Sequence, residues 1–305
     1  MKRIFAALCG GILAVSAVSC GKPGEKSNGS KTSIEAFKDM GQVIWDNDAV
    51  TVTFESYEDA VPLEPVINLK VQNKTDKERH LTLNDFYVND FSMFAAAFLD
   101  NGTVPPGETA DVSVNCYSGA AENAGIEEIG KLSLSFHTVN PNATSMDDAF
   151  LTSGIIDLFT DKTDWEKDQE LPEGELLYDK DGVKITAILS GDSYMRGYTL
   201  PLFIENNSKE NVALWLDSMR FDGVEGEMNI PEVGNIVSGK RSLRTMVTYS
   251  ALESAGITAY DVFSSDSDEN RPEKTEIKFT ITKYDGKGGE NSIETDYIEV
   301  KGLSE

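Results

Sequence analysis

The chain has 305 residues, of which 52 are acidic and 27 basic, for a formal net charge of −25 at pH 7. A surface of that sign repels phosphate backbones and anionic headgroups, which excludes nucleic acid as a partner and a polybasic grip on membranes. The length is enough for two ordinary domains, each with its own core.

The N-terminus reads MKRIFAALCGGILAVSAVSCGKPGEKSNGS. Lys2 and Arg3 precede an apolar run from Ile4 to Val18, and small residues lead into Cys20, which is the pattern of an export signal. The run is shorter than the roughly 18 to 20 residues a membrane-spanning helix needs. The tetrad AVSC, Ala17 to Cys20, followed by Gly21, resembles the lipobox of bacterial lipoproteins. That resemblance implies removal of residues 1–19 and a diacylglycerol on the Cys20 thiol, so that the partner of Cys20 is the lipid bilayer at the extracytoplasmic face of the cell membrane. Each buried methylene contributes about 0.8 kcal/mol, and two acyl chains on one residue suffice for stable anchoring. Loss of Lys2 and Arg3 leaves 25 basic against 52 acidic residues. Residues 20–42 read as the lipidated Cys and a flexible tether rich in Gly, Lys and Ser, ending in TSIEAFKDMG, Thr32 to Gly41, for which a short capped helix is expected.

Beyond the tether the chain says most things twice. IWDNDAVTVTF (Ile44 to Phe54) faces LYDKDGVKITA (Leu177 to Ala187), and INLKVQNKTDKE (Ile67 to Glu78) faces LPLFIENNSKEN (Leu200 to Asn211), both 133 residues on, with Asn73 opposite Asn206. ENAGI, containing Gly125, returns as ESAGI, containing Gly256. A drift of only two residues in the offset marks a duplicated unit of domain size, too long for a solenoid repeat. Within each copy the apolar period is two: VTVTF, INLKV, ADVSV and LSLSF in the first, VKITA, LPLFI, ALWLD and IKFTI in the second. Gly, Asn, Asp and Pro separate these runs, and no long amphipathic helix interrupts them. The fold expected is all-β: two tandem antiparallel immunoglobulin-like β-sandwich domains from an internal duplication, each with a short crossover helix. Their bounds are 43–160 and 177–305, with an acidic linker at 161–176 in which Trp165 packs on a domain edge. Ser250 and Glu253 in SALESAGI are spaced as a capping box, and Gly256 and Gly125 are placed to close their helices in the left-handed conformation.

Several stretches invite a functional reading. GNIVSGKRS (Gly234 to Ser242) approaches a phosphate-binding loop but has Arg241 after the Lys and the first copy's strand turn at the same point. DNDA at Asp46, DKDG at Asp179 and DSDEN at Asp266 are fragments of calcium loops, or solvated turns. NKT at Asn73, NGT at Asn101, NAT at Asn142 and NNS at Asn206 match a glycosylation sequon, yet Asn is also the residue of tight turns. Cys116 is the one thiol left after processing and reads as a small buried hydrophobe rather than a nucleophile. In VALWLD, Val212, Leu214 and Leu216 share one face and put Trp215 on the other, where the first copy has Thr82. Trp215, with Tyr194 and Tyr198 of GDSYMRGYT, is the candidate contact for a glycan or protein partner, the alternative being an indole covered by its own domain. FSMFAAAFL, residues 91–99, is either a buried edge or a docking patch. The sequence has no HExxH, GxSxG or zinc-ligand spacing, and neither a catalytic centre nor a metal or cofactor is assigned.

With the YDKDGVKIT opening, the IENNSKE hairpin and the ESAGI turn, the mature chain resembles Gram-positive surface lipoproteins with tandem immunoglobulin-like sandwiches and no assigned activity. The function that this implies is a non-catalytic, membrane-anchored binding or scaffold module that presents two domains at the cell surface to a surface protein or glycan. The competing expectation is a glycan-directed hydrolase, or an accessory subunit of a transport or cell-wall complex.

Overall fold

The computed structural model describes residues 32–301 except 60, 94–95, 118–120, 123, 141–149, 163–164, 166–172, 189–198, 228–231, 248, 258–271 and 285–289. The chain is all-β, as its period-two patterning predicts. The first half carries β1 (Thr32–Glu35), β2 (Val43–Asp46), β3 (Val50–Glu58), β4 (Val66–Asn73), β5 (Arg79–Val88), β6 (Phe91–Ser92), β7 (Ala97–Asp100), β8 (Thr103–Val104), β9 (Thr109–Cys116), β10 (Lys131–Val139), β11 (Phe150–Thr152) and β12 (Ile156–Phe159). The second half carries β13 (Glu175–Lys180), β14 (Val183–Ala187), β15 (Thr199–Asn206), β16 (Asn211–Phe221), β17 (Val224–Glu227), β18 (Glu232–Ile236), β19 (Lys240–Val247), helix α1 (Tyr249–Ser254), β20 (Thr275–Tyr284), β21 (Glu290–Glu294) and β22 (Ile298–Glu299).

Three sheets result. One is ordered β2-β3-β4-β9-β7, and another β17-β16-β20-β21, with β18 on β16 and β22 on β20. The third runs β1-β12-β10-β5-β6-β19-β15-β14-β13, so strands of both halves share it. The order β13-β14-β15-β19 matches β2-β3-β4-β9, and the antiparallel pair β16 and β20 matches β5 and β10. Alternation sends one face of each strand inward. In the first half Val52, Phe54, Leu69, Val71, Val112 and Val114 share a buried cluster with Leu81, Phe86, Val88, Leu132, Leu134 and Phe136. In the second half Ile185, Leu202 and Ile204 do so with Val212, Leu214, Leu216, Ile277, Phe279 and Ile281.

The join between the halves is closer than an acidic linker suggests. Parallel pairing of Phe91 with Arg241 carries the sheet from β6 to β19, and the Arg241 N–H donates to the Asp90 carbonyl at 2.8 Å. Strand β15 serves two cores: Leu200, Leu202 and Ile204 belong to the second cluster, whereas Phe203 belongs to the first. Trp165, from the acidic segment, packs on Gly130 at the edge of the first half, as expected, with the Lys131 ammonium 5.7 Å from its ring centroid.

Local chemistry fixes the turns. The Gly125 N–H donates to the Glu122 carbonyl and the Ile126 N–H to that of Ala121; Gly256 and Ile257 do the same to Glu253 and Leu252. With φ of +69° and +78° at the two glycines, both are Schellman closures. Helix α1 begins at Tyr249, which puts Ser250 inside its first turn rather than at its cap. The helix expected in Thr32–Gly41 is a strand followed by turns: β1 lies parallel to β12, and Ile34 and Ala36 are 1% exposed. Alternation of Ile34 into the first core outweighs the helical spacing there, and part of the segment read as tether is built into the sandwich.

Asn73 and Asn206 are both fully buried. The Asn73 amide donates to the carbonyls of Lys77, Val104 and Pro105, and its oxygen accepts from the N–H and hydroxyl of Thr75. The Asn206 amide donates to Glu210 and Ile236, and its oxygen accepts from the N–H and hydroxyl of Ser208. The sequon spacing in NKT and NNS is thus the spacing of a side-chain turn that pins a hairpin.

Candidate functional site

Sandwich strands alternate, so β5, β10 and β12 present polar residues on the face away from the first core. The second half covers part of that face. Lys240, 5% exposed, follows the turn closed by Gly239 and reaches across: its ammonium donates to Asp90 Oδ1 at 2.5 Å and to Ser133 Oγ at 2.7 Å, 3.7 Å from Asp157 Oδ1. The Lys131 ammonium donates to the same Asp90 oxygen at 2.8 Å, and the Ser133 hydroxyl to Asp157 Oδ1 at 2.5 Å. Asn89 holds this corner, its oxygen accepting from the N–H groups of Gly130 and Lys131. The Tyr87 ring centroid is 5.3 Å from the Lys240 ammonium, and the Tyr87 hydroxyl accepts from the Val237 N–H at 3.2 Å.

Two lysines and two aspartates balance here. Burial pushes the Asp90 carboxyl up, but Lys240 and Lys131 outweigh it and hold the group below its ordinary value. At Lys240 burial prevails over Asp90 and lowers the ammonium, while at Lys131 the Asp90 contact outweighs burial and raises it. The two pulls oppose each other across one contact, and the 2.5 Å separation identifies an ion pair. Lys240 is the lysine of the loop-like GNIVSGKRS, committed to Asp90 and therefore spent on the fold.

Next to this cluster, burial raises the Asp85 carboxyl against hydrogen bonds from the Ser135 hydroxyl at 2.5 Å and the Asn84 amide at 2.7 Å. His137 Nδ1 lies 3.3 Å from the Asn84 oxygen, and burial lowers its pKa. No local pattern marks these groupings, because outward polar residues on a strand ordinarily meet water.

At the DNDA turn, Asp46 Oδ1 accepts from the Lys74 ammonium and the Thr51 hydroxyl, each at 2.5 Å. At DKDG, the Lys283 ammonium donates to the Asp181 carbonyl at 2.6 Å. A lysine stands at each of these two turns, and among the described residues no three His, Cys, Asp or Glu gather as metal ligands. DSDEN and Asn142 lie outside the described residues. Asn101 has φ +59°, the left-handed turn conformation expected of it. Cys116 is buried, and burial pushes its thiol up to about 12. In the stretch 91–99 Phe91 and Met93 are buried in the first core, whereas β7 is a half-buried edge strand on β9.

Trp215 sits half-buried in β16, between Glu232 of β18 and Thr280 of β20, while Val212, Leu214 and Leu216 face the core. Around it the outer face is polar: the Thr280 hydroxyl donates to Asp217 at 2.7 Å and the Lys278 ammonium to Glu294 at 3.0 Å. Farther along β16 the Arg220 guanidinium lies 3.6 Å from the centroid of Tyr297, whose hydroxyl is 2.6 Å from that of Ser218. Sequence reasoning missed this stack, whose only signal was an aromatic ahead of the last strand. Cys20, Tyr194 and Tyr198 lie outside the described residues.

No protein-family model matches the chain, and no curated protein matches it. Among solved structures it is similar to the YadV chaperone, at 11% identity over 75% of this chain and 92% of that one, with a TM-score of 0.22. A protein of unknown function from Porphyromonas gingivalis W83 is 12% identical over 81% of this chain and 97% of that one, with a TM-score of 0.23. The CsuC–CsuE chaperone and tip-adhesin complex of Acinetobacter baumannii gives 9% identity over 72% and 88%, with a TM-score of 0.23. Likenesses at these scores say nothing of what this chain binds.

Proposed function

We propose that the chain is a lipid-anchored, extracytoplasmic binding or scaffold protein without catalytic activity, held to the membrane by Cys20 and built from two tandem copies of one immunoglobulin-like sandwich. The observation that carries the non-catalytic part is the closure of the Asp90, Asp157, Lys131 and Ser133 cluster by Lys240 of the second half. A charged group that fastens two sandwiches is occupied by the chain itself. Matching strand orders and matching Asn73 and Asn206 hydrogen bonds support the reading of a duplication. The partner-binding surface in this reading is the outer face around Trp215, suited to a surface protein or glycan. Metabolic labelling with a fatty acid tests the anchor: the wild type should carry label and Cys20→Ala should carry none. Equal labelling of both would remove the anchor from the account. Turnover of any glycan in a broad panel by the purified protein would replace the scaffold with the hydrolase.

A further inference from the structure

Exposed apolar side chains are unevenly placed. Among the described residues six large hydrophobic side chains are more than half exposed, and four of them, Phe37, Met40, Val61 and Tyr117, come to one end of the first half. The strand registers bring them together. Glu35 pairs with Phe159, and the chain then turns through Phe37 and Met40 to Gly41, whose N–H donates to the Phe54 carbonyl at 2.7 Å. Phe37 sets its ring edge against Tyr57, with centroids 5.8 Å apart. Glu58 pairs with Val66 across the hairpin that carries Val61, and Val66 pairs in turn with Asn115, just before Tyr117. The Tyr117 ring lies 5.1 Å from that of Phe98 on β7, centroid to centroid. At about 4.8 Å per strand step, the end of the sheet β2-β3-β4-β9-β7 is roughly 20 Å across. The opposite end, with the turns at 47–49, 74–78 and 105–108, holds none of the exposed large hydrophobics.

Carboxylates ring this patch. Glu58, Asp59 and Asp161 are exposed, and Asp39 and Glu64 are half-buried. Burial, and then the charges of Asp59 and Asp161, raise the Tyr57 hydroxyl, while burial and then Glu64 raise the Cys116 thiol, so these three acids lie within electrostatic reach of the patch. The lysines of the same turns are already paired, Lys38 with Glu35 and Lys162 with Glu128.

An apolar centre inside a rim of one sign restricts what can cover it. A second copy of this chain, with its net charge of −25, and an anionic bilayer would both meet the rim with like charge. We infer that this end of the first half is a docking surface for a basic protein segment. Its aliphatic or aromatic side chains cover Phe37, Met40, Val61 and Tyr117, and its Lys and Arg side chains meet Asp39, Glu58, Asp59 and Asp161. The rim steers the encounter and the desolvated centre holds it. This surface is separate from the Trp215 face and does not depend on an anchor at Cys20.

A labelled peptide of two Lys-Leu-Ala-Lys-Leu-Ala-Lys repeats serves as the probe, with its affinity for the purified chain read by fluorescence anisotropy. Met40→Ser combined with Val61→Ser leaves the charge unchanged and should weaken binding at least tenfold, whereas Val224→Ser, an exposed apolar position elsewhere, should not. The same peptide with Glu in place of Lys should bind at least tenfold more weakly than the basic one. Should the double variant lose its fold by circular dichroism, Tyr117→Ser decides by the same comparison with Val224→Ser. An undiminished affinity, or an equal loss in Val224→Ser, would reduce the binding to net charge and overturn the surface. Equal binding of the Glu peptide would overturn the basic partner. Two further results would overturn it in favour of another occupant. With Cys20→Ala added, adsorption to phosphatidylglycerol vesicles that the double variant abolishes would give the patch to the bilayer. A dimer in sedimentation equilibrium that the double variant abolishes would give it to a second copy.

Discussion

Phe203 stacks on Phe91 with ring centroids 5.7 Å apart and planes inclined by 25°, although the two side chains come from different halves of the chain. Phe203 is 2% exposed and lies in the first half's core, while its neighbours Leu202 and Ile204 fill the second. Phe203→Ala should therefore cost about 3 to 5 kcal/mol, the usual range for a buried Phe. The loss should come from the junction: differential scanning calorimetry should resolve two transitions where the wild type unfolds in one. A single transition merely lowered in temperature would place Phe203 in the second core.

Lys240→Met removes the cation shared by Asp90 and Asp157 but keeps most of the volume. Breaking a buried pair by deleting one partner costs about 3 to 5 kcal/mol, because the charge left behind is uncompensated. Denaturant unfolding should show a loss at the low end of that range, since Lys131 still neutralises Asp90. Asp90→Asn combined with Lys240→Met should recover part of it. A double variant no better than the single would mean that the ion pair is incidental.

The same pair sets a dependence on acid. Asp90 is held below its ordinary value in the folded chain, so the unfolded chain takes up a proton first as pH falls. Its contribution is complete above the unfolded carboxyl's pKa of about 3.9 and is lost as pH drops through the lower folded value. Between about pH 5 and 2 the wild type should lose stability more steeply than Asp90→Asn, measured as urea midpoints. Parallel slopes would show that the carboxyl titrates alike in both states.

Asn73→Ala and Asn206→Ala each orphan buried carbonyls and release a hairpin. Each unsatisfied group costs about 1 to 3 kcal/mol, so both variants should lose at least 2 kcal/mol in equilibrium unfolding. Thr75→Val and Ser208→Ala should lose less, since the asparagine amides keep their acceptors. If either asparagine proved replaceable without loss, the hairpin pin would not be what keeps it buried.

Trp215→Ala should leave the thermal midpoint within a few degrees of the wild type, because the indole lies on the outer face and outside the second core. Binding to glycan arrays or surface-crosslinked partners should fall. A large loss of stability with unchanged binding would make the indole structural.

Much of this architecture was legible because its signals are periodic. The alternation of VTVTF, INLKV and LSLSF placed Phe54, Leu69 and Leu134 in the core, and the glycines of ENAGI and ESAGI marked two real turns. The junction was hidden because it depends on what covers an outward face. A clue was present: where INLKV points Asn68 and Lys70 outward, LPLFI points Pro201 and Phe203. An apolar outward pair in one copy says that something packs there, but not what. Likewise Ser133 and Asp157 read as ordinary wet-face residues until Lys240 is brought over them. At Thr32–Glu35 the helical spacing misled, since parallel pairing with a strand over 120 residues away has no local signature.

The short ladder between β1 and β12 has a mechanical consequence. A chain held by the residues before Thr32 and pulled at its second half loads that ladder lengthwise, so its hydrogen bonds resist together instead of peeling open in turn. Four paired positions thus act as a shear-loaded clasp, and tension on the tether would be borne there before it reached either core.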